Sequence, residues 1–324
     1  MIRLAAVALL ALAALMPPAR AADAPAGLTI IEPYGPGSIT DRVIGLYQPG
    51  LEKATGHPIS VEHDGAQSLA KLAAAPPNGH TVIVVDLLSV EIAETTGQPS
   101  TNQPSNQPST NQPSTKLSGL TPIAKLTGPG SVALVVPEGS PIKNWADFAA
   151  AAKSGNLSIA APGRVSAAGV PLALMEKALG VHFKDVAAAD RNAILAALAG
   201  KKADAAFLVT ATILPENGAA APPVRPIVTF GAQRNPRLQQ VPTFQEQIGK
   251  PHNATTTAIA VFGPSGLDAV AVKRLVTDFV GAGRAAKANP AASRLAIDVG
   301  DGVLLRQTME RDARVIKEVQ ELLH

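Results

Sequence analysis

The sequence predicts an α/β protein of two lobes, in which helices pack on largely parallel strands. Segments rich in β-branched residues lead three times through a Gly- or Pro-containing loop into a stretch whose apolar residues recur at helical spacing. Small aliphatic side chains dominate the 46% of residues that are hydrophobic, as is typical of helices on buried parallel strands. About 300 residues remain once an expected N-terminal signal is removed, which is more than a single core usually accommodates.

Residues 1–21 are expected to be a secretory signal peptide. Arg3 gives a basic start, residues 4–16 are an apolar run shorter than the roughly 20 residues that span a bilayer, and residues 19–21 form a small-x-small cleavage site. The chain has no cysteine that could carry a lipid or form a disulfide, so we expect a soluble periplasmic protein without a lipid anchor. Loss of two arginines with the signal lowers the formal charge from +3 to +1. A nearly neutral surface with few aromatic residues argues against a nucleic-acid partner.

Residues 29–41 form the first of the three strand-loop-helix units. A strand at residues 29–31 enters a loop that contains Gly37, and three residues of N-cap type, Ser38, Thr40 and Asp41, then open a helix. The free N–H groups at a helix start carry roughly half a positive charge. The unit therefore predicts a site for a carboxylate or phosphate that needs no Arg or Lys.

Two other interpretations of this unit stay open on the residues alone. The spacing of Gly35, Gly37 and Thr40, with Glu62 at the end of the next strand, superficially resembles a dinucleotide-binding turn. The third glycine of that fingerprint is missing, however, and Glu62 lies further along than the expected distance of roughly 20 residues. The other interpretation is a capped strand-to-helix connection with no ligand.

The first lobe is predicted to comprise residues 22–125. We expect its first helix to kink or end early at Pro49, which removes a hydrogen-bond donor and crowds the carbonyl of Gly45, although the apolar stripe continues until Gly56 stops it. Residues 97–116 are dominated by a Gln-Pro-Ser-Thr-Asn repeat that cannot bury surface, so we expect a disordered surface insertion. Further elements are predicted at residues 58–62 (strand), 63–68 (loop into a helix) and 81–85 (buried strand).

Residues 126–252 are predicted to form the second lobe, and residues 253–324 to return the chain to the first lobe. Asn144 is expected to cap a helix that ends at Gly155, and a third loop at residues 162–166 opens another helix. The last residues place apolar side chains on one face and charges on the other, which predicts an amphipathic helix packed on a core. Strands are predicted at residues 120–126, 132–136, 157–161, 203–208, 224–229 and 258–262, and a helix after Asn192.

Several segments resemble, in order along nearly the whole mature chain, the substrate-binding proteins of tripartite tricarboxylate transporters, the Bug family. The family pattern Pro-Phe-x-x-Gly-Gly-x-Thr-Asp is similar to residues 33–41, and Val-Glu-Asn-x-Pro-Gly-Ala-Gly-Gly is similar to residues 61–68. Further similar motifs lie at residues 77–81, 120–124, 198–204 and 241–246. The resemblance implies a two-lobed periplasmic binding protein of type II-like fold, with a ligand cleft between the lobes. It also implies a small carboxylate as ligand (a di- or tricarboxylate, an acidic amino acid or an aromatic acid) and membrane permease subunits as partners. We expect the protein to be a monomer.

The resemblance, together with the residue types in the three loops, predicts which residues bind the solute. Family members hold one carboxylate largely through main-chain groups of the first two loops, while Asp41 is assigned to capping and orienting the first loop. Arg164, in the third loop, is either a partner for a distal carboxylate, worth roughly 1.5–3 kcal/mol, or a solvated arginine. Ser38 stands where the family pattern has its second glycine, so the identity of the ligand stays open. The predicted solute-binding residues are Tyr34, Gly37, Ser38, Thr40, Asp41, Gly65, Ala66, Gln67, Ser68, Gly163, Arg164, Ser166, Asp190 and Thr210.

No pattern in the sequence indicates catalysis. The six histidines have no spacing suited to a metal, and neither a Gly-x-Ser-x-Gly nucleophile turn nor a Walker loop occurs. We therefore predict a binding protein without enzymatic activity, cofactor or metal. Two alternatives stay open. One is an exported dinucleotide-dependent enzyme that uses the loop of the first strand-loop-helix unit, and the other is a sensor or docking protein on the same fold that no longer serves transport.

Overall fold

The computed structural model describes residues 27–97, 116–128, 130–188, 190–214, 220–231, 233–249, 258–292 and 294–323. The predicted signal peptide and residues 98–115 of the predicted insertion lie outside these described residues. Eleven strands are described: β1 Thr29–Ile31, β2 Ser60–Glu62, β3 Thr81–Asp86, β4 Thr121–Thr127, β5 Val132–Pro137, β6 Ser158–Ala161, β7 Lys184–Ala187, β8 Ala205–Val209, β9 Val224–Thr229, β10 Ile259–Gly263 and β11 Ile297–Asp301. Ten α-helices are described: α1 Ile39–Thr55, α2 Ser68–Ala74, α3 Leu87–Thr96, α4 Trp145–Ser154, α5 Gly169–Leu179, α6 Arg191–Ala199, α7 Thr210–Ile213, α8 Phe244–Ile248, α9 Ala269–Ala286 and α10 Gly302–Val319.

The strands form two mixed sheets, which confirms the predicted two-lobed α/β fold. The first sheet has the order β11-β4-β10-β3-β1-β2, and the second has the order β7-β6-β8-β5-β9. In the first sheet β1 runs parallel to β2 and β3, and β10 runs antiparallel to β3 and β4. In the second sheet β6 runs parallel to β7 and β8, while β5 runs antiparallel to β8 and β9.

The chain passes between the two sheets at two neighbouring places. It leaves the first sheet after β4 to enter β5, and it returns after β9 and α8 to enter β10. Strands β4 and β10 pair antiparallel, and the backbone N–H of Ile259 donates to Thr127 Oγ1 at 2.9 Å. The two crossings are therefore tied to each other where the lobes meet.

Helix α1 continues through Pro49, so the predicted early end is wrong. The helix ends instead at Gly56, a left-handed C-cap with φ +73° whose N–H donates to the carbonyl of Glu52. Pro49 and Gly45 are both exposed, so water can satisfy the carbonyl that proline leaves without a donor. On its other face α1 packs closely on α9, where the rings of Tyr47 and Phe279 lie 6.5 Å apart.

Most other elements agree with the predicted ones to within a few residues, but several strands and helices had no predicted counterpart. Strands β7 and β11 and helices α3, α8 and α9 carry patterns that were not recognised in the sequence. Helix α6 begins at Arg191 because Asp190 caps it, slightly earlier than the predicted start after Asn192. Among the helices of the described residues, none is long and apolar enough to cross a membrane.

Helix α10 packs on both lobes. Leu305, near its start, lies in the core of the first lobe, whereas Ile316 and Val319 lie with Phe148 in the core of the second lobe. The predicted packing of this amphipathic helix on a core is confirmed, although its last turns contact the second lobe and not only the first. Helix α3 makes a similar bridge, because alternate apolar side chains enter the two cores.

Candidate functional site

The opening loop, residues 32–38, connects β1 to α1. Ser38 is the N-cap of α1, and its Oγ accepts the N–H of Asp41 at 2.9 Å. The Asp41 carboxylate in turn accepts the N–H of Gly37 at 2.8 Å. Gly37 has a φ of +82°, a left-handed conformation that other residues adopt at a cost. The sequence therefore forms a tight, capped turn here, and Asp41 orients it.

A carboxylate of the chain itself occupies the centre of the opening loop. The side chain of Glu32 is fully buried, and its Oε2 accepts the N–H of Tyr34 at 3.0 Å and that of Gly35 at 2.7 Å. Ser38 Oγ donates to Glu32 Oε1 at 2.9 Å, and His63 Nδ1 lies 2.9 Å from Oε2. Sequence reasoning assigned no role to Glu32. An acidic residue between a buried strand and a Pro/Gly loop was the signal that could have identified it.

The second loop, residues 63–67, meets the opening loop, as the repeated strand-loop-helix pattern predicts. Because β1 and β2 are parallel and paired, their carboxyl ends lie at the same edge of the sheet. His63 joins the two loops, with Nδ1 against Glu32 and Nε2 3.9 Å from Asp41 Oδ1. Gly65, Ala66 and Gln67 form one turn of 3-10 helix before α2.

Two predicted hydroxyl residues at these loops are buried without a partner. Thr40 and Ser68 are each about 1% exposed, and neither Thr40 Oγ1 nor Ser68 Oγ has a hydrogen-bond partner among the described residues. Buried hydroxyls are usually hydrogen-bonded, because an unpaired one costs about 1–3 kcal/mol. Both residues stand at the first positions of helices that open from the converging loops.

The third loop, residues 162–168, lies in the second lobe, and Arg164 there has other partners than the one predicted. Its guanidinium donates twice to Glu176 (2.8 and 3.0 Å), twice to Asp185 (2.8 and 3.2 Å) and once to the carbonyl of Leu322 (2.9 Å). These bonds use all five N–H donors of an arginine. The hydrogen bonds with Glu176 raise the pKa of Arg164. No donor is left for a solute carboxylate, so this ion network replaces the predicted role.

The neighbouring predicted residues of the second lobe serve local turns. Ser166 Oγ donates to the carbonyl of Gly163 at 2.6 Å and accepts the N–H of Ala168 at 3.2 Å. The Asp190 carboxylate accepts the N–H of Ala193 at 2.8 Å and so caps α6. The structure thus brings Gly163, Arg164 and Ser166 into one turn, and it gives the side chains of Arg164 and Ser166 partners within the second lobe.

A cavity of about 330 Å³ lies where residues of the two lobes face each other. First-lobe residues supply one part of its lining, including the apolar side chains of Ile39, Val43 and Ile259. Second-lobe residues supply another part, including Leu214 and the residues around Thr210. Of the fourteen predicted solute-binding residues, Thr210 is the one that lines this cavity.

Thr210 is the centre of a small hydroxyl and amide cluster in the cavity wall. Ser131 Oγ donates to Thr210 Oγ1 at 3.1 Å, and Asn235 Nδ2 donates to the same atom at 3.4 Å. Ser131 precedes β5, Thr210 follows β8, and Asn235 follows β9, so the cluster forms where three paired strands end or begin. Ser131 and Asn235 are functional candidates that sequence reasoning missed.

Charged groups of both signs also line the cavity. Arg237 is exposed and belongs to the second lobe, whereas Arg294 is 9% exposed and lies in the segment before β11. Asp86 is 7% exposed, caps α3 by accepting the N–H of Ser89, and has a pKa raised to about 6 by burial. No local motif marked these three residues in the sequence.

Tyr34 links the opening loop to the cavity. Its hydroxyl accepts the N–H of Asp86 at 3.1 Å and donates to the carbonyl of Asp86 at 3.4 Å. Burial, followed by the nearby Asp86 charge, raises the pKa of Tyr34, so the hydroxyl keeps its proton. The predicted residue Tyr34 therefore positions a cavity-lining residue.

Within the described residues, no cluster of three or more His, Asp or Glu side chains is arranged to hold a metal ion.

Comparison with known proteins links these features to one family. The sequence model of the tripartite tricarboxylate transporter family receptor, TctC, matches residues 47–319, more than half of the chain. This match begins after the opening loop. A search of curated proteins finds no match.

Solved structures with the same fold cover nearly the whole chain. A TctC solute-binding protein from Polaromonas, without ligand, is 18% identical with a TM-score of 0.68, over 91% of this chain and 98% of that one. MatC from Rhodopseudomonas palustris with bound malate is 22% identical with a TM-score of 0.69, over 92% and 99%. Another R. palustris protein, with adipate, is 19% identical with a TM-score of 0.70, over 92% and 97%. At these identities the similarities show the fold.

Proposed function

The chain belongs to the tripartite tricarboxylate transporter receptor family, and on that premise we propose that it captures a small organic acid in the cavity between its lobes. The family consists of solute receptors, so the chain is a binding protein and not an enzyme. In this proposal the predicted signal peptide exports the protein to the periplasm. There the loaded receptor, as a monomer, delivers the acid to membrane permease subunits.

The observation that carries this proposal is the lining of the cavity. Arg237 and Arg294 supply positive charge, and the cluster around Thr210 supplies neutral hydrogen-bonding groups. The guanidinium group matches a carboxylate in shape and can donate two parallel N–H bonds to it. A volume of about 330 Å³ suits a small metabolite and lies at the low end of ligand pockets.

Apolar side chains complete the match with a small acid. Ile39, Val43 and Ile259 from the first lobe, with Leu214 from the second, offer contact to a carbon skeleton. Micromolar affinity needs about 8 kcal/mol. One or two charge-assisted hydrogen bonds of roughly 1.5–3 kcal/mol each, together with burial of the skeleton, supply a large part of that free energy.

The position of the cavity also suits the delivery step. Residues of both lobes contact any bound solute, so binding favours the arrangement in which the lobes are closed on it. A permease that recognises the closed arrangement can then distinguish loaded from empty receptor.

Native mass spectrometry of receptor purified from the periplasm of its host tests the proposal directly. We expect a co-purified small acid, and we expect calorimetry with dicarboxylates, acidic amino acids and aromatic acids to identify the same class. With the acid that binds, Arg237→Ala should weaken affinity by roughly 10- to 150-fold, the equivalent of one charge-assisted bond.

A matched control and a contrary outcome complete this test. Arg314 is an exposed arginine of α10 that does not line the cavity, so Arg314→Ala should leave affinity unchanged. If no acid co-purifies and none of the panel binds, the transport proposal fails, and a sensor or docking role on the same fold becomes the better account. If Arg237→Ala and the wild type bind the acid with equal affinity, the solute does not bind in this cavity.

A further inference from the structure

Glu32 places a carboxylate where the opening loop would otherwise bind an anion. The carboxylate is fully buried, and it accepts two backbone N–H groups and one hydroxyl of the loop. Burial of a carboxylate is costly unless several donors compensate it, and apolar residues are the usual occupants of a buried strand end. The donors of this loop are therefore already committed to a group of the chain itself.

The surrounding groups make the same place unfavourable for a second anion. His63 lies between Glu32 and Asp41, at 2.9 Å from one carboxylate and 3.9 Å from the other. The N–H of Gly37, the next donor of the loop, is taken by Asp41. Asp86 lines the neighbouring wall of the cavity and is joined to the loop by the Tyr34 hydroxyl. An incoming carboxylate would meet three acidic side chains and no uncommitted amide of residues 34, 35 or 37.

We propose that Glu32 is an internal ligand of the opening loop and sets the specificity of this receptor for acids with one carboxylate. The inference rests on the proposed function for the identity of the solute class. A solute carboxylate binds at the arginines of the cavity, and the part of the solute near the opening loop is uncharged. Malate and adipate, which the related structures hold, each carry two carboxylates. In this chain, the Glu32 side chain takes the place of a second solute carboxylate.

The first test compares acids of equal chain length on the wild-type protein by calorimetry, with hexanoate against adipate and butyrate against succinate. An unpaired carboxylate beside Asp86, the acidic residue of the cavity wall that the Tyr34 hydroxyl joins to the occupied loop, should cost at least tenfold in affinity. We therefore expect the monocarboxylate of the better-binding pair to bind about 10-fold or more tightly than the dicarboxylate. Equal or tighter binding of the dicarboxylate would overturn the proposal.

The second test is a chemical rescue of the loop itself. Glu32→Ala removes a CH₂–COO⁻ group, which acetate reproduces, so we expect acetate to raise the melting temperature of Glu32→Ala more than that of the wild type. The matched control is Glu62→Ala, at the end of the neighbouring strand β2, where Lys71 is the ion-pair partner and acetate should give no specific rise. Chloride at equal ionic strength corrects for salt. Glu32→Ala should also bind adipate more tightly than the wild type does.

The outcomes separate this inference from the proposed function. If the wild type binds no acid but acetate still stabilises Glu32→Ala, the cavity proposal fails and the occupied loop stands. If acetate affects Glu32→Ala and the wild type equally, the loop holds no displaceable carboxylate and the inference is overturned. Where Glu32→Ala fails to fold without acetate, refolding in acetate against chloride gives the same comparison, and the wild-type acid pairs remain decisive.

Discussion

Removal of Arg164 should destabilise the second lobe strongly while leaving solute affinity unchanged. Glu176 is almost fully buried, with a side chain 1% exposed, and Arg164 supplies two of its hydrogen bonds. In Arg164→Ala the Glu176 carboxylate keeps the N–H of Phe183, at 3.0 Å, but loses its cation. Stripping one partner from a buried ion pair costs about 3–5 kcal/mol. The half-exposed contact with Asp185 adds little to this loss, because water screens it.

For a chain of about 300 residues, a loss of about 3–5 kcal/mol corresponds to a drop in melting temperature of roughly 5–8 °C. Urea unfolding measures the free energy, and calorimetry measures the temperature. In a double-mutant cycle, Glu176→Gln should cost less in the Arg164→Ala background than in the wild type, because the two side chains act as one unit. Arg306→Ala, at an exposed position of α10, is the control and should unfold like the wild type.

The competing hypothesis from the sequence, that Arg164 pairs with a solute carboxylate, makes the opposite prediction. It requires Arg164→Ala to unfold near the wild-type temperature and to lose tenfold or more in solute affinity. That result would refute the reasoning from the ion network. It would also refute the proposal that Arg237 and Arg294 are the cationic residues that bind the solute carboxylate.

Three further predictions concern stability, each measured by urea unfolding. Gly50→Ala should destabilise by about 1 kcal/mol or more, because its Cβ would lie 2.6 Å from a backbone atom of α9. Gly45→Ala, with open space around the new Cβ, should stabilise by up to about 1 kcal/mol. Equal effects of the two substitutions would contradict the close packing of α1 on α9. Asn144→Ala should cost about 0.5–2 kcal/mol through loss of the N-cap of α4, and a neutral result would contradict this role. Burial and then the Asp312 charge raise the pKa of Glu91 to about 9, so the native state holds a proton that the unfolded chain releases above pH 4.5. Wild-type stability should therefore fall as pH rises toward 9, by at most about 1.4 kcal/mol per pH unit from this group. Glu91→Gln should flatten that slope, and an unchanged slope would contradict the raised pKa of Glu91.

Predictions that depend on neighbouring residues agree well with the structure. Ser38 and Asn144 cap helices because a side-chain oxygen reaches an N–H three residues ahead, and that geometry needs no distant contact. Gly56 ends α1 in the left-handed conformation for an equally local reason. Pro49 is the instructive exception, since the packing of α1 on α9 and exposure to water outweigh one lost hydrogen bond.

The predictions of the binding site depend on contacts across the fold, and there the sequence was a weaker guide. A solute role for Arg164 was reasonable from its loop, but its partners include the carbonyl of Leu322, 158 residues further along the chain. Arg294 and Asn235 reach the cavity only because the chain crosses twice between the sheets, and no spacing within their own segments indicates it.

The sequence by itself determined the strands and helices that open from loops, the capped ends of those helices, and the family to which the motifs belong. These features follow from side chains within a few residues of each other, where backbone geometry and hydrogen bonding are set locally. The tertiary structure alone decided that Arg164 would be used in an ion network and that two arginines would line the cavity with Thr210. Burial and long-range pairing control those outcomes, because the free energy of a charged group depends on which distant partners fold against it.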